Sequence, residues 1–149
     1  MVTKQEFEMA YVSQEMKAKL APTIKAVLKK YKVKGTLAVR NHSTLVVNIK
    51  EGAIDFIENF IATDANVMHG RKMAQDQIDY LRKHQTIDVN PHWIHDHYSG
   101  KAKSFLLELK AAMQGPDFFD ESDAQTDYFY CSHYIDINIG KWDKPYVVV

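Results

Sequence analysis

Residues 126–149 read TDYFYCSHYIDINIGKWDKPYVVV, and the way this stretch finds its strand partners decides the fold. From Phe129 the odd positions carry Phe129, Cys131, His133, Ile135, Ile137 and Ile139, while the even ones carry Tyr128, Tyr130, Ser132, Tyr134, Asp136 and Asn138. Side chains of a strand point alternately to its two sides, so the run predicts a long strand with one face on a core and the other near water. Gly140 ends it, Lys141 to Lys144 supply a turn, and Pro145 lacks the N–H that a ladder needs. The expectation is a terminal β-hairpin, with residues 146–149 returning as its second strand.

Upstream, a second hairpin is written in the same code. Leu37 and Val39 alternate with polar or small neighbours, residues 41–43 (Asn-His-Ser) supply a turn, and Leu45, Val47 and Ile49 alternate again before Gly52. Between and around the hairpins the period changes to three and four. Ile24, Val27, Leu28 and Tyr31 make one stripe of a helix that starts most clearly near Pro22, with Ser13 placed to cap a short turn from Gln14 and Thr3–Glu6 spaced as a capping box. Ile54, Ile57, Phe60 and Ile61 predict a short helix, and residues 70–84 a polar one. Ile87 and Val89 predict a brief strand, and Ala102, Phe105, Leu106, Leu109 and Met113 a helix from Gly100 to a stop at Gly115. This order predicts an α+β fold: a mainly antiparallel sheet built from two hairpins plus a short strand, with helices packed on one face.

The 149 residues, 46% hydrophobic, suffice for a single globular domain over 1–149 and are few for two. No apolar run approaches the roughly 20 residues that span a bilayer, and no signal-peptide core is present, so a soluble protein with no membrane partner is expected. The lone Cys131 excludes an internal disulfide and a multi-cysteine metal site, and reads as a small buried hydrophobe. Net charge is zero, yet residues 1–50 hold ten Lys or Arg against three Glu, while residues 115–140 hold six acids and no Lys or Arg. Local potential steers partners more than net charge does, so either segment is a candidate recognition surface.

Two blocks, LAPTIKAVLKKYKVKGTLAVRNHSTLVVNIKEGAIDF (20–56) and FFDESDAQTDYFYCSHYIDINIGKWDKPYVVV (118–149), together with TIDVNPHWIHDHYSGKAKSFL between them, resemble a group of uncharacterised proteins of bacteriophages and related bacterial mobile elements. The C-terminal block is similar to a domain attached to large polyvalent phage and conjugative-element proteins. The resemblance implies a home in the cytoplasm of the bacterial host and carries no catalytic or binding residues with it.

Several patterns carry candidate chemistry. In PHWIHDHY, His92, His95, Asp96 and His97 have donors suited to zinc or iron, but match neither the helical H-E-x-x-H motif nor a finger, and exposed or hydrogen-bonded imidazoles are the simpler reading. His133 reads as a satisfied core histidine and His42 as part of the hairpin turn. The acidic loop with Asp117, Asp120, Glu121, Asp123 and Asp127 lacks EF-hand spacing and suits turn capping. Ser99-Gly100-Lys101 opens a helix without a Walker A glycine, so nucleotide hydrolysis is not expected. Lys25, Lys29, Lys30, Lys32 and Lys34 form a lysine-rich segment that could contact nucleic-acid phosphates, whereas arginine, the better base reader, occurs three times in the chain.

No catalytic constellation emerges, so the expectation leans away from an enzyme and toward an accessory interaction protein that binds a host or viral macromolecule without a cofactor. Its expected contact surface is Tyr128, Tyr130, Tyr134 and Asp136, beside Asp120 and Asp123. A nucleic-acid-binding module using the lysines, and a metal-dependent hydrolase using the histidine cluster, are the alternatives.

Overall fold

The computed structural model describes residues 11–67, 73–120 and 132–149, without the side chains of 64–67. The first helix, α1 (Gln14–Lys30), is capped by Ser13, whose hydroxyl accepts from the Met16 N–H at 3.0 Å. The helix therefore starts eight residues before Pro22, the start expected from sequence, and Pro22 sits exposed within it. Burial of Leu20, Ile24 and Leu28 along one stripe outweighs the donor that proline removes. Strands β1 (Val33–Arg40) and β2 (Thr44–Gly52) form the antiparallel hairpin read from the sequence. Its three-residue turn, 41–43, carries Asn41 (φ 54°) and His42 (φ 56°) in the left-handed region, and the Ser43 N–H closes it on the Arg40 carbonyl at 3.2 Å.

Then follow α2 (Phe56–Val67), α3 (Gln75–His84), β3 (Ile87–Val89), α4 (Ile94–His97), α5 (Gly100–Gln114), β4 (Tyr134–Ile139) and β5 (Val147–Val148). The helices expected after Gly52 and from Gly100, and the brief strand at Ile87 and Val89, are all present. Thr3–Glu6, and residues 129–131 of the expected long strand including Cys131, lie outside the described residues.

The terminal hairpin does not form. β4 runs parallel to β2, with Leu45 opposite Ile135 and Ile49 opposite Ile139, and antiparallel to β3. β5 also runs parallel to β2, with Glu51 opposite Val147. Two residues of β2 thus separate partners that lie eight apart on the other chain segment, so β4 and β5 are two pieces of one strand line interrupted by an extruded loop. Lys141 and Lys144 do pair with each other, N–H to carbonyl at 2.8 and 3.0 Å, but the chain resumes its former direction instead of returning. The fold is α+β with a five-stranded sheet, and that sheet is mixed, not mainly antiparallel. Alternation along 133–139 is the same for either pairing; what decides is that Gly140 N–H meets the Ile49 carbonyl (2.8 Å) and Tyr146 N–H meets the Gln85 carbonyl (3.0 Å).

Leu45, Val47 and Ile49 of β2 and Ile137 and Ile139 of β4 enter one buried cluster with Ile24, Phe56, Ile94, Phe105 and Leu109. The length of α1, about 25 Å at 1.5 Å per residue, matches β1 at about 27 Å. Val12 N–H bonds the His42 carbonyl at one end of this pair, and Ala53 N–H bonds the Lys32 carbonyl at the other. The sheet therefore has two distinct ends, one at the β1–β2 turn and one where α1 enters β1.

Candidate functional site

Away from the buried cluster the strands present polar rows: Arg40, Thr44 and Tyr134; then Ala38, Val46 and Asp136; then Thr36, Asn48, Asn138 and Asp88. Arg40 Nη1 lies 2.6 Å from Asp136 Oδ2 although β2 stands between their strands. Strands are spaced roughly 4.8 Å apart, so the arginine stem must cross β2, which accounts for Thr44 and Val46 being buried on this side. Asn138 Nδ2 donates to Asn48 Oδ1 (3.2 Å) and Asp136 Oδ2 (3.3 Å). Burial, and then the Asp136 charge, raise the Asp88 carboxyl above its usual range, with Arg40 opposing. Two carboxylates thus face one guanidinium on an open surface, with Tyr134 46% exposed beside them. Of the contact residues expected from sequence, Tyr134 and Asp136 share this face; Tyr128, Tyr130 and Asp123 lie outside the described residues.

The lysines gather elsewhere. At the end of the sheet where α1 enters β1, Lys29 closes the helix and Lys32 and Lys34 flank the start of the strand. Lys50 joins them from β2, Lys83 from the last turn of α3, and Lys141 and Lys144 from the extruded loop. The links are direct: Lys34 pairs with Glu51, Glu51 with Val147, and the residue after α3, Gln85, with Tyr146. All seven lysines are exposed and none is in an ion pair among the described residues. Among the described residues the acids at this end are Glu51, Asp55 and Asp143, together with Glu58 and Glu108, which are held by Arg82 and Lys30. Lys30 is committed to Glu108 at 2.8 Å, and Tyr31 also donates its hydroxyl to that carboxylate, holding it below the usual carboxylate range. Lys25 is exposed on α1 one turn before Lys29.

This basic end stands on aromatic rings. Tyr31 meets Phe105 edge-on at 5.3 Å, Phe105 lies 5.6 Å from Phe56, and Phe56 meets Tyr146 edge-on at 5.3 Å. The buried Tyr146 hydroxyl donates to the Ile54 carbonyl at 2.7 Å, and burial pushes its pKa up. One helix end, one helix start and the loop's return are thereby locked together. Trp142, at the loop's tip, is 88% exposed.

No family model, curated protein or solved structure matches this chain.

The remaining candidates are placed as follows. His95 and His97 lie on the single turn of α4, with His92 and Trp93 before it and the His97 ring packed against Phe60 (5.4 Å) and Trp93 (6.2 Å). Among the described residues no three His, Cys, Asp or Glu side chains assemble a metal site. His133 lies just before β4, 1% exposed. Its Nε2 is 2.9 Å from the Met113 carbonyl, which can only accept, so the proton sits on Nε2 and Nδ1 accepts from Ser132 Oγ (3.1 Å). It is the satisfied core histidine expected. His42 is in the hairpin turn, again as expected. Asp117 and Asp120 sit at the opposite end of the sheet from the lysines, because Phe119 and Ser132 bond each other and Tyr134 bonds Ser43 beside the β1–β2 turn. A groove of about 1090 Å³ runs between α1 and the end of α5 over Met16, Leu20 and Ala112. Its charged lining is Lys19 against Glu15, Glu108 and Asp117, an acidic balance that does not suit a phosphate chain.

Sequence reading found Lys29, Lys32 and Lys34 but missed Lys50, Lys83, Lys141, Lys144 and Trp142. Their only signal was a tryptophan between lysines in a segment that read as an ordinary turn.

Proposed function

We propose that this protein is a non-enzymatic nucleic-acid-binding protein that docks through the basic end of its sheet. The observation that carries the reading is the convergence there of seven exposed lysines, none in an ion pair among the described residues, from α1, β1, β2, α3, the α1–β1 connection and the extruded loop. A cluster of that kind repels itself in the free protein and gains by releasing counterions from a phosphate chain. Both described arginines are already paired, Arg40 with Asp136 and Arg82 with Glu58, so base edges are not the target and binding is tolerant of sequence. Such a role suits an accessory protein of a phage or mobile element in its bacterial host, with the helices shielding one face of the sheet.

Fluorescence anisotropy with labelled nucleic acid tests it. Binding at low salt should fall steeply as salt rises, with a log–log slope of about −0.7 to −0.9 per phosphate contacted. Absence of any salt-sensitive binding would remove the reading.

A second reading draws on the Asp88–Asp136 pair: a host or viral protein could place a lysine or arginine against these two carboxylates beside Tyr134. Recovery of a specific protein that Asp136→Asn releases would support it.

A further inference from the structure

The geometry points to single-stranded nucleic acid as the ligand of this basic end, with Trp142 as the platform on which a base stacks. The inference rests on the docking reading above and adds to it a strand preference. Trp142 is 88% exposed, so the faces of its indole are open to solvent, where a large aromatic ring gains nothing from folding. Its backbone, in contrast, is held from both sides. Gly140 N–H bonds Ile49, Lys141 and Lys144 close the loop on each other, and Tyr146 is fixed to Gln85 and Ile54. Gly140 adopts φ 69° with the Gln85 carbonyl oxygen 2.4 Å from where a Cβ would stand, so the loop's root is packed against backbone. Ordering of the backbone that carries the ring is thus complete before any ligand arrives, and ordering is the usual cost of a loop contact.

Lys141 and Lys144, both exposed, flank Trp142 and Asp143 in the loop and outnumber its one acid. Stacking next to cations that track a backbone is the general design of sequence-tolerant single-strand binding, because every base has a flat face and every nucleotide a phosphate. A duplex offers the phosphates but keeps its base faces buried in the stack, so Trp142 has nothing to engage there except at an end. An anionic membrane is the competing partner for a tryptophan beside lysines. Here the lysines are spread over several elements, and the exposed apolar side chains beside Trp142, those of Val147, Val148 and Val149, lie on or just after a strand already paired with β2, which suits an extended polyanion better than an interface that must be entered.

The test uses the full chain with Trp93→Phe as background, so that Trp142 is the only tryptophan reporting. Oligo(dT), a duplex of equal length and anionic phosphatidylglycerol vesicles are titrated at low and high salt, following anisotropy and indole emission. Oligo(dT) should quench Trp142 and bind more tightly than duplex. Trp142→Ala should weaken oligo(dT) about tenfold or more while leaving duplex affinity unchanged, and Trp142→Phe should retain most of the affinity. Lys141→Ala with Lys144→Ala should shrink the single-strand salt slope by about 1.4. Equal binding of single strand and duplex, with neither changed by Trp142→Ala, would overturn the stacking inference and leave the docking reading standing. No salt-sensitive binding of either nucleic acid would overturn both. An emission shift with vesicles and none with oligo(dT) would reassign the loop to a membrane surface.

Discussion

His133 shows how one residue's neighbours dictate its pH behaviour. Burial lowers its imidazole pKa, with the Met113 carbonyl opposing. The unfolded chain therefore binds a proton that the folded chain resists. The contribution of His133 is full above its ordinary value of about 6.5 and is lost as pH falls below it. The urea midpoint should drop between about pH 7.5 and pH 5.5, and His133→Gln should flatten that slope while costing about 1–3 kcal/mol at the higher pH. Asp88 has the opposite sign. Its folded pKa is raised, so the folded chain holds the proton more tightly and stability declines as pH climbs from the ordinary carboxylate range. Asp88→Asn should therefore raise the melting temperature at neutral pH, and the gain should shrink as pH falls through the ordinary carboxylate range and the carboxyl takes up its proton.

At the scale of elements, the loop that joins β4 to β5 depends on Gly140. An alanine there would need both a left-handed φ and displacement of the Gln85 carbonyl and the Tyr146 N–H, which lies 2.7 Å from the would-be Cβ. Gly140→Ala should cost about 2–4 kcal/mol in chemical denaturation, and the loss should be accompanied by changed Trp142 emission because the loop's root is what moves. The same element marks the limit of sequence reading. The β1–β2 hairpin was legible because its turn residues, Asn41 and His42, are adjacent to the strands they join and tolerate positive φ. The β4–β2 pairing was not legible, since an alternating strand followed by Gly-Lys-Trp-Asp-Lys-Pro fits a hairpin equally well. Only partners far along the chain, Ile49 and Gln85, decide between them. The start of α1 was misplaced for a related reason: Pro22 is a strong local signal for a beginning, and the tertiary burial of Leu20 overrode it. Of the site, the dense lysines before Gly35 were visible, while Lys50, Lys83, Lys141 and Lys144 join them through sheet register alone.

For the whole molecule, zero net charge conceals an uneven distribution: seven exposed lysines at one end of the sheet, and Asp117 and Asp120, with Lys17 and Lys19 near them, at the other. Lys32→Ala, Lys34→Ala and Lys50→Ala combined should change stability by no more than about 0.5 kcal/mol, since exposed unpaired side chains are being trimmed, yet should weaken single-strand and duplex binding alike. Thermal melts and anisotropy on the same preparation separate the two effects. The collinearity of β4 and β5 has a consequence for engineering. Since β2 pairs with both β4 and β5, and Gln85 bonds Tyr146 beyond the loop, the strand line is held on both sides of residues 141–145 and the sheet does not measure how much chain lies between them. Adding a flexible segment at Asp143 should cost the Lys141–Lys144 pairing plus about 0.6 kcal/mol of loop closure for each doubling of loop length. The position is thus a natural graft point, where a reporter or a foreign epitope could be carried without moving the register of a single strand.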